Sequence, residues 1–141
     1  MDPLASGLLI VGIGRSFTKR FSEFLHADKA YEVSAILGRK TDTYDTEGKV
    51  VSEVDASNIS EKDVAKVLSI FLGEQEQIPP MYSALKKDGK KLYELAREGK
   101  EIKREPRKIN ISSITLTSFS NPDFEFLVHV SGGTYIRTIC S

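Results

Sequence analysis

The fold is decided by residues 109–130, which read INISSITLTSFSNPDFEFLVHV. In the second half, Phe124, Phe126, Val128 and Val130 place an apolar side chain at every second position. This two-residue period is typical of a strand with one buried face. Asn121-Pro122-Asp123 separates the two halves and has the composition of a turn. The stretch therefore predicts two strands joined by a turn, with part of each strand in the core.

The first half of this stretch changes face within the strand. Ile109 and Ile111 lie on one face by spacing, whereas Ile114 falls on the other. One extra residue in a strand shifts every later side chain to the opposite face. We therefore expect a bulge or bend at Ser112-Ser113.

Upstream of this β region, strand and helix patterns alternate. Apolar spacing predicts strands at 8–11, 31–37 and 50–51, and helices at 16–26, 60–72 and 90–98. Ser60 and Asp63 have capping-box spacing at the start of the second helix, and Gly73 is expected to end it. We predict an α/β (α+β) domain with a mixed, mainly antiparallel sheet and flanking helices.

Composition limits the class of protein. The chain has 141 residues, enough for one domain, with 40% hydrophobic and 28% charged residues. It contains neither a membrane-spanning apolar run nor a signal-peptide pattern, so a cytoplasmic protein is expected. One cysteine, Cys140, excludes an internal disulfide. His26 and His129 are isolated in sequence, so we expect no metal site.

Charge is distributed unevenly although the net charge is zero. Residues 86–108 contain ten Lys or Arg against five acidic residues, a net +5, so the remainder carries −5. A local basic segment is what contact with phosphates requires. A solvated helix face of mixed charge is the alternative, and composition alone favours it.

Asp2 begins the string DPLASGLL, in which Pro3 fixes the backbone and Gly7 permits a tight turn. A carboxylate beside a rigid loop can act in catalysis, but aspartate is also a common turn former. Its chemistry alone does not decide between these functions.

Four segments, in order, resemble the TruB family of tRNA pseudouridine synthases, bacterial type. They are DPLASGLL at residues 2–9, DKAYEV at 28–33, QIPPMYSALKKDGKKLYELAREG at 77–99 and SGGTYIRTI at 131–139. The third is long and highly specific. The resemblance covers nearly the whole chain and implies that residues 1–141 are an internal fragment of the catalytic domain. On this interpretation the fragment is truncated at both ends, and the C-terminal RNA-binding domain of the family is absent.

The resemblance also implies a function for particular residues. Asp2 corresponds to the catalytic nucleophile and Arg137 to its partner, while Tyr31 would stack on the flipped uridine and Tyr135 would line its pocket. Within a basic segment at 78–108 that covers RNA, the expected RNA-binding residues are Tyr82, Lys86, Lys90, Lys91 and Arg97. Without the motif, Tyr31 is expected to be a core tyrosine and Arg137 to form a surface or structural ion pair.

The implied activity is isomerisation of a tRNA T-loop uridine, at position 55, to pseudouridine after base flipping, without cofactor or metal. The full-length protein is expected to be a monomer that binds the tRNA T-loop stem and no membrane. Because flanking parts of the pocket are missing on this interpretation, we expect the truncated chain to have weak activity or none. A non-catalytic module that binds the T-loop or helps RNA to fold is the alternative.

Overall fold

A computed structural model describes residues 4–25 and 27–141. Its centre is a four-stranded antiparallel sheet with strand order β1-β8-β7-β4. The bounds of these strands are Lys29–Ile36 (β1), Gly73–Gln77 (β4), Arg107–Ser120 (β7) and Asp123–Val130 (β8). Arg39–Thr41 (β2) pairs with Val50–Glu53 (β3), and Lys86–Lys87 (β5) pairs with Lys90–Lys91 (β6). The predicted class is confirmed, and every strand pair among the described residues is antiparallel.

Five helices accompany these strands in the described part of the chain. Their bounds are Arg15–Thr18 (α1), Phe21–Leu25 (α2), Glu61–Ile70 (α3), Leu92–Arg97 (α4) and Ile136–Ile139 (α5). Within residues 4–25 and 27–141, no helix has the length and hydropathy needed to cross a membrane.

The core forms where one face of β7 and β8 meets α3 and α5. Its buried side chains are Val64, Leu68, Ile109, Ile111, Phe126, Val128, Val130 and Ile139. The alternation predicted for β8 is confirmed, because Phe126, Val128 and Val130 are at most 1% exposed. The predicted bulge is confirmed as well, since the β7–β8 register shifts between Ile111 and Ser113.

Helix α3 begins as the sequence predicts. Ser60 is its N-cap: its hydroxyl accepts a hydrogen bond from the backbone N–H of Asp63, and the Asp63 carboxylate accepts one from the Ser60 N–H at 3.0 Å. The helix ends at Ile70, however, and Gly73 (φ 93°) begins β4 rather than ending the helix. Strand β4 was not expected, because the polar sequence GEQEQ has no strand pattern and pairs with β7 through its backbone.

The expected strand at residues 8–11 is wrong. Leu8, Leu9, Ile10 and Val11 are 49–92% exposed and have no strand assignment. An apolar run becomes a strand only when another backbone supplies hydrogen bonds, and no strand of the described residues lies beside it. The helix expected at 16–26 is instead two short helices, α1 and α2, separated at residues 19–20.

Candidate active site

Several predicted site residues lie at one end of the central sheet. Strand β8 ends there at Val130, which pairs with Lys29 at the start of β1 and with Ile111 near the start of β7. Strand β4 ends at the same side with Gln77, opposite Arg107. We call this end of the sheet, where β8 finishes at Val130, the β8 end. The chain leaves β8 here and reaches α5 through residues 131–135.

The connection between β8 and α5 is fixed by hydrogen bonds. The Ser131 N–H donates to the Asn110 carbonyl at 2.8 Å, and the Ser131 hydroxyl accepts from the Asn110 N–H at 2.9 Å. The Thr134 hydroxyl donates to the Ser131 carbonyl at 2.9 Å, and Gly133 supplies a left-handed turn (φ 88°) that favours glycine. These bonds fix where the chain leaves β8, just before Tyr135 and Arg137.

Tyr135 is held from the other side by Gln77. The Gln77 Oε1 accepts from the Tyr135 N–H at 2.8 Å, and its Nε2 donates to the Tyr135 carbonyl at 3.0 Å. Gln77 is only 7% exposed, so both bonds are shielded from water. Sequence reasoning quoted Gln77 within the third motif but gave it no function.

Arg137 joins three segments of the chain. Its Nη1 donates to the Thr43 carbonyl at 2.9 Å and lies 3.4 Å from the Asp45 Oδ2, while its Nη2 donates to the Tyr82 carbonyl at 2.9 Å. The Arg137 side chain is 15% exposed and that of Asp45 is 22% exposed. A planar guanidinium with several fixed donors suits such a junction, whereas an ammonium group does not.

Asp45 forms hydrogen bonds within its own turn. Its Oδ1 accepts from the Thr43 hydroxyl at 2.6 Å and from the Glu47 N–H at 3.1 Å. The contact with Arg137 is additional and spans 92 residues. Local spacing carries no signal for such a pair, which sequence reasoning missed.

Asp2, the predicted nucleophile, and His26 lie outside the described residues. The contact between Asp2 and Arg137 therefore stays a prediction. His129 is exposed on β8. Among residues 4–25 and 27–141, no group of three His, Cys, Asp or Glu side chains is arranged to bind a metal ion.

Tyr31 lies near the start of β1, opposite Val128 and close to the β8 end of the sheet. Its side chain is half-buried and packs against the core, on the same face as Val33. This packing agrees with the simple core interpretation, and the half-exposed ring leaves its predicted stacking on uridine untested.

The predicted RNA-covering segment contains a lysine hairpin. Lys86 pairs with Lys91 and Lys87 pairs with Lys90 across a turn at Asp88-Gly89, where both residues have positive φ (51° and 81°). Such a turn matches the twist of a tight hairpin. Lysines directly opposite one another repel, and the Lys90 Nζ also lies 3.8 Å from the Glu98 Oε1.

Two predicted RNA-binding residues lie outside the hairpin: Tyr82 precedes it and Arg97 follows it. Both are connected to it through Tyr93 or its neighbours. The Lys91 Nζ lies 3.2 Å from the Tyr93 hydroxyl and 5.3 Å from its ring centroid, and the Arg97 guanidinium lies 5.4 Å from the same centroid. The Tyr93 N–H donates to the Ser83 carbonyl at 3.1 Å, next to Tyr82. The backbone thus connects the basic segment to Arg137.

The described surface includes a cleft beside the contacts of Arg137. This cleft of about 340 Å³ is lined by Tyr82, Asp42, Tyr44, Arg104 and neighbouring residues, so it borders the contacts of Arg137. A larger cleft of about 410 Å³ lies at the opposite end of the sheet, beside Ile36, Asn121 and Asp123. The smaller cleft is the one next to the predicted site residues.

Comparison with known proteins identifies the family. The family model for TruB family pseudouridylate synthase (N terminal domain) matches residues 1–136. The tRNA pseudouridine synthase B of Azoarcus sp. (strain BH72) is 50% identical over 99% of this chain and 46% of its own length. The protein of the same name from Clostridium tetani (strain Massachusetts / E88) is 49% identical over 99% of this chain and 48% of its own length.

The fold is shared with a solved structure as well. One chain of the crystal structure of a Cbf5-Nop10-Gar1 complex has a TM-score of 0.52 and 23% identity, covering 82% of this chain and 25% of that chain. Our chain spans about half the length of the two tRNA pseudouridine synthase B relatives. Because the family model covers residues 1–136 of 141, the chain belongs to the TruB family of pseudouridylate synthases.

Proposed function

We propose that this chain is part of the catalytic domain of a tRNA pseudouridine synthase that isomerises a T-loop uridine, at position 55. Membership of the TruB family and the names of the relatives support the reaction class. The observation that carries the proposal is the position of Arg137, a largely buried cation held by two carbonyls and a carboxylate at the β8 end of the sheet. Its predicted partner, Asp2, would act there as the nucleophile.

The reaction detaches uracil from ribose, turns it and rejoins it through carbon, so no atom is gained or lost. Asp2 must be ionised to attack the ribose or the base, and a cation within a few ångströms lowers the pKa of a carboxylate by about 1–3 units. Arg137 would supply that charge. No step of this isomerisation requires a cofactor.

A uridine in a folded loop must be flipped out before it can react. Tyr31 would stack on the flipped base and Tyr135 would form a wall of its pocket. Tyr82, Lys86, Lys90, Lys91 and Arg97 would hold the surrounding RNA, because they belong to the segment that is connected to Arg137 through Tyr82. A protein that acts on tRNA in this way is expected in the cytoplasm and as a monomer.

An Asp2→Asn variant tests the proposal. The chain would replace the matching segment of the Azoarcus relative, so that the assay uses a protein of full family length. Tritium at C5 of uridine is released when the new bond forms at that carbon. We expect the parent chimera to release tritium from a T-loop stem, and Asp2→Asn to lose this release while it binds the RNA with similar affinity.

Either of two results contradicts the proposal. If Asp2→Asn releases tritium at the parent rate, Asp2 is not the nucleophile. If the parent chimera binds the T-loop stem without any release, the chain is a non-catalytic RNA-binding module. Gel-shift titration with the same RNA separates loss of chemistry from loss of binding.

A further inference from the structure

We propose that Gln77 is a positioning residue, which fixes Tyr135, and through it Arg137, for the reaction. The inference deepens the proposed function and rests on it for the reaction itself. The Gln77 side-chain amide binds both backbone polar groups of Tyr135, at 2.8 and 3.0 Å, across a sequence separation of 58 residues. One side chain thereby imitates a strand partner for a residue that lies beyond the sheet.

The position of Gln77 suits this function. It is the last residue of β4, where the backbone pairs with Arg107 of β7, so the main chain that carries it is held by the sheet. Its side chain is 7% exposed, and a buried amide must have its donor and acceptor satisfied. Tyr135 supplies a partner for each.

The segment that Gln77 holds has little rigidity of its own. Helix α5 has four residues, Ile136–Ile139, and Tyr135 is its N-cap. A helix this short is not stable alone, so its orientation depends on its contacts. Ile139 packs in the core at the far end, and Gln77 holds the near end. Loss of the Gln77 bonds would therefore move the Tyr135 ring and the base of the Arg137 side chain.

Gln75 provides a matched control on the same strand. Its Nε2 donates to the carbonyl of Phe71, four residues earlier, and contributes nothing to Tyr135. Both glutamines are on β4 and bind backbone oxygen. A Gln→Met substitution at either position keeps a similar volume and removes the amide. If weakening of β4 were the cause, both substitutions would have the same effect. If Gln77 positions Tyr135, only Gln77→Met has an effect.

The geometric part is tested on the 141-residue chain by hydrogen exchange of the Tyr135 amide, measured by NMR. Because Gln77 Oε1 accepts from this N–H, we expect Gln77→Met to speed its exchange about tenfold, the effect of one lost hydrogen bond. Gln75→Met should leave the exchange of Tyr135 unchanged. Unchanged exchange in Gln77→Met overturns the inference, whatever the activity.

The functional part is tested in the chimera with the Azoarcus relative. We expect Gln77→Met to lower kcat roughly 10- to 100-fold with little change in KM for the RNA, because misplacement of a site group affects chemistry more than distant RNA contacts. Gln75→Met should keep the parent kcat. Equal kcat in Gln77→Met and the parent overturns the inference. A parent chimera with no activity overturns the proposed function instead, while amide exchange still reports on Gln77.

Gln77→Glu should make the reaction rate depend on pH in a way that a general loss of stability would not. The carboxylate keeps an acceptor for the Tyr135 N–H but places a negative oxygen against the Tyr135 carbonyl, where Gln77 donated at 3.0 Å. Protonation restores a donor. We therefore expect the rate of Gln77→Glu relative to the parent to rise as pH falls. A ratio that is independent of pH overturns the inference, and this variant also serves if Gln77→Met does not fold.

Discussion

The guanidinium of Arg137 and the carboxylate of Asp45 lie 3.4 Å apart, although 92 residues separate them in the chain. Both side chains are largely shielded from water, with 15% and 22% of their surface exposed. The same guanidinium donates to two carbonyls, of Thr43 and Tyr82. The contacts of Arg137 with Thr43 and Asp45 attach the turn between β2 and β3 to α5. They both stabilise the fold and orient Arg137, the predicted partner of the nucleophile.

An Asp45→Asn substitution should reduce the free energy of unfolding by about 1–2 kcal/mol. The expected value lies between those of exposed and fully buried ion pairs, because the pair is partly shielded from water. Asn preserves the turn acceptor at Oδ1 but brings no charge to Arg137. Urea unfolding followed by circular dichroism measures the loss.

The ion pair between Arg39 and Glu53 provides the control. Its 2.9 Å separation is shorter than that of Arg137 and Asp45, but its side chains are 51% and 64% exposed. Glu53→Gln should therefore cost less than about 1 kcal/mol. If Glu53→Gln costs as much as Asp45→Asn, shielding from water does not set the strength of these pairs.

The N-terminus of α3 should make stability depend on pH in the acid range. Hydrogen bonds from the Ser60 hydroxyl and backbone N–H hold the pKa of Asp63 below its ordinary value of 3.8. A carboxylate with a lowered folded pKa stabilises the fold above its unfolded pKa, and this contribution is lost as pH falls through the folded value. The stability difference between the parent and Asp63→Asn should shrink as pH falls below about 4.

Ser60→Ala removes the cap itself and should cost about 1 kcal/mol at neutral pH. Thermal unfolding between neutral and acid pH measures both effects. Glu61→Gln, which removes a carboxylate of the same helical turn that lies outside the capping box, serves as control. If the difference in stability between the parent and Asp63→Asn grows towards acid pH, the pKa of Asp63 is not lowered in the folded state.

The lysine hairpin should contribute to RNA affinity through phosphate contacts. We expect Lys86→Ala to weaken binding of a T-loop stem and to reduce the slope of log affinity against log salt by about 0.7–0.9, the change for one lost contact. Lys66→Ala, on α3 and outside the basic segment, should leave both quantities unchanged. Fluorescence anisotropy at several salt concentrations gives the slopes, and equal effects at the two lysines would exclude a specific function for the hairpin.

The sequence predicted those elements whose burial leaves a pattern in the side chains. Alternation identified β8, and the change of face at Ser112-Ser113 identified the bulge in β7. Local chemistry identified the cap at Ser60. Strand β4 left no such pattern because it is polar and pairs through its backbone. Residues 8–11 had the pattern without a neighbouring strand among the described residues.

The site was predictable only where a motif marked it. The fourth motif predicts Tyr135 and Arg137 as site residues, which stays a prediction, and both lie at the β8 end of the sheet. Gln77 and Asp45 act through contacts that span 58 and 92 residues, which no local spacing predicts. Asp45 also accepts hydrogen bonds within its own turn. Since turn formation already accounts for an aspartate at this position, the sequence does not indicate its ion pair with Arg137.

The central claim is that Arg137, with its fixed fork of donors, organises a site of pseudouridine chemistry. Tritium release by an Arg137→Lys variant of the chimera tests this claim most directly. Lysine keeps the charge but cannot satisfy the Thr43 and Tyr82 carbonyls while it faces Asp45. Arg39→Lys, at an exposed ion pair, is the matched control. We predict a rate at least about 100-fold below the parent for Arg137→Lys, and the parent rate for Arg39→Lys. Release at the parent rate by Arg137→Lys would contradict the account.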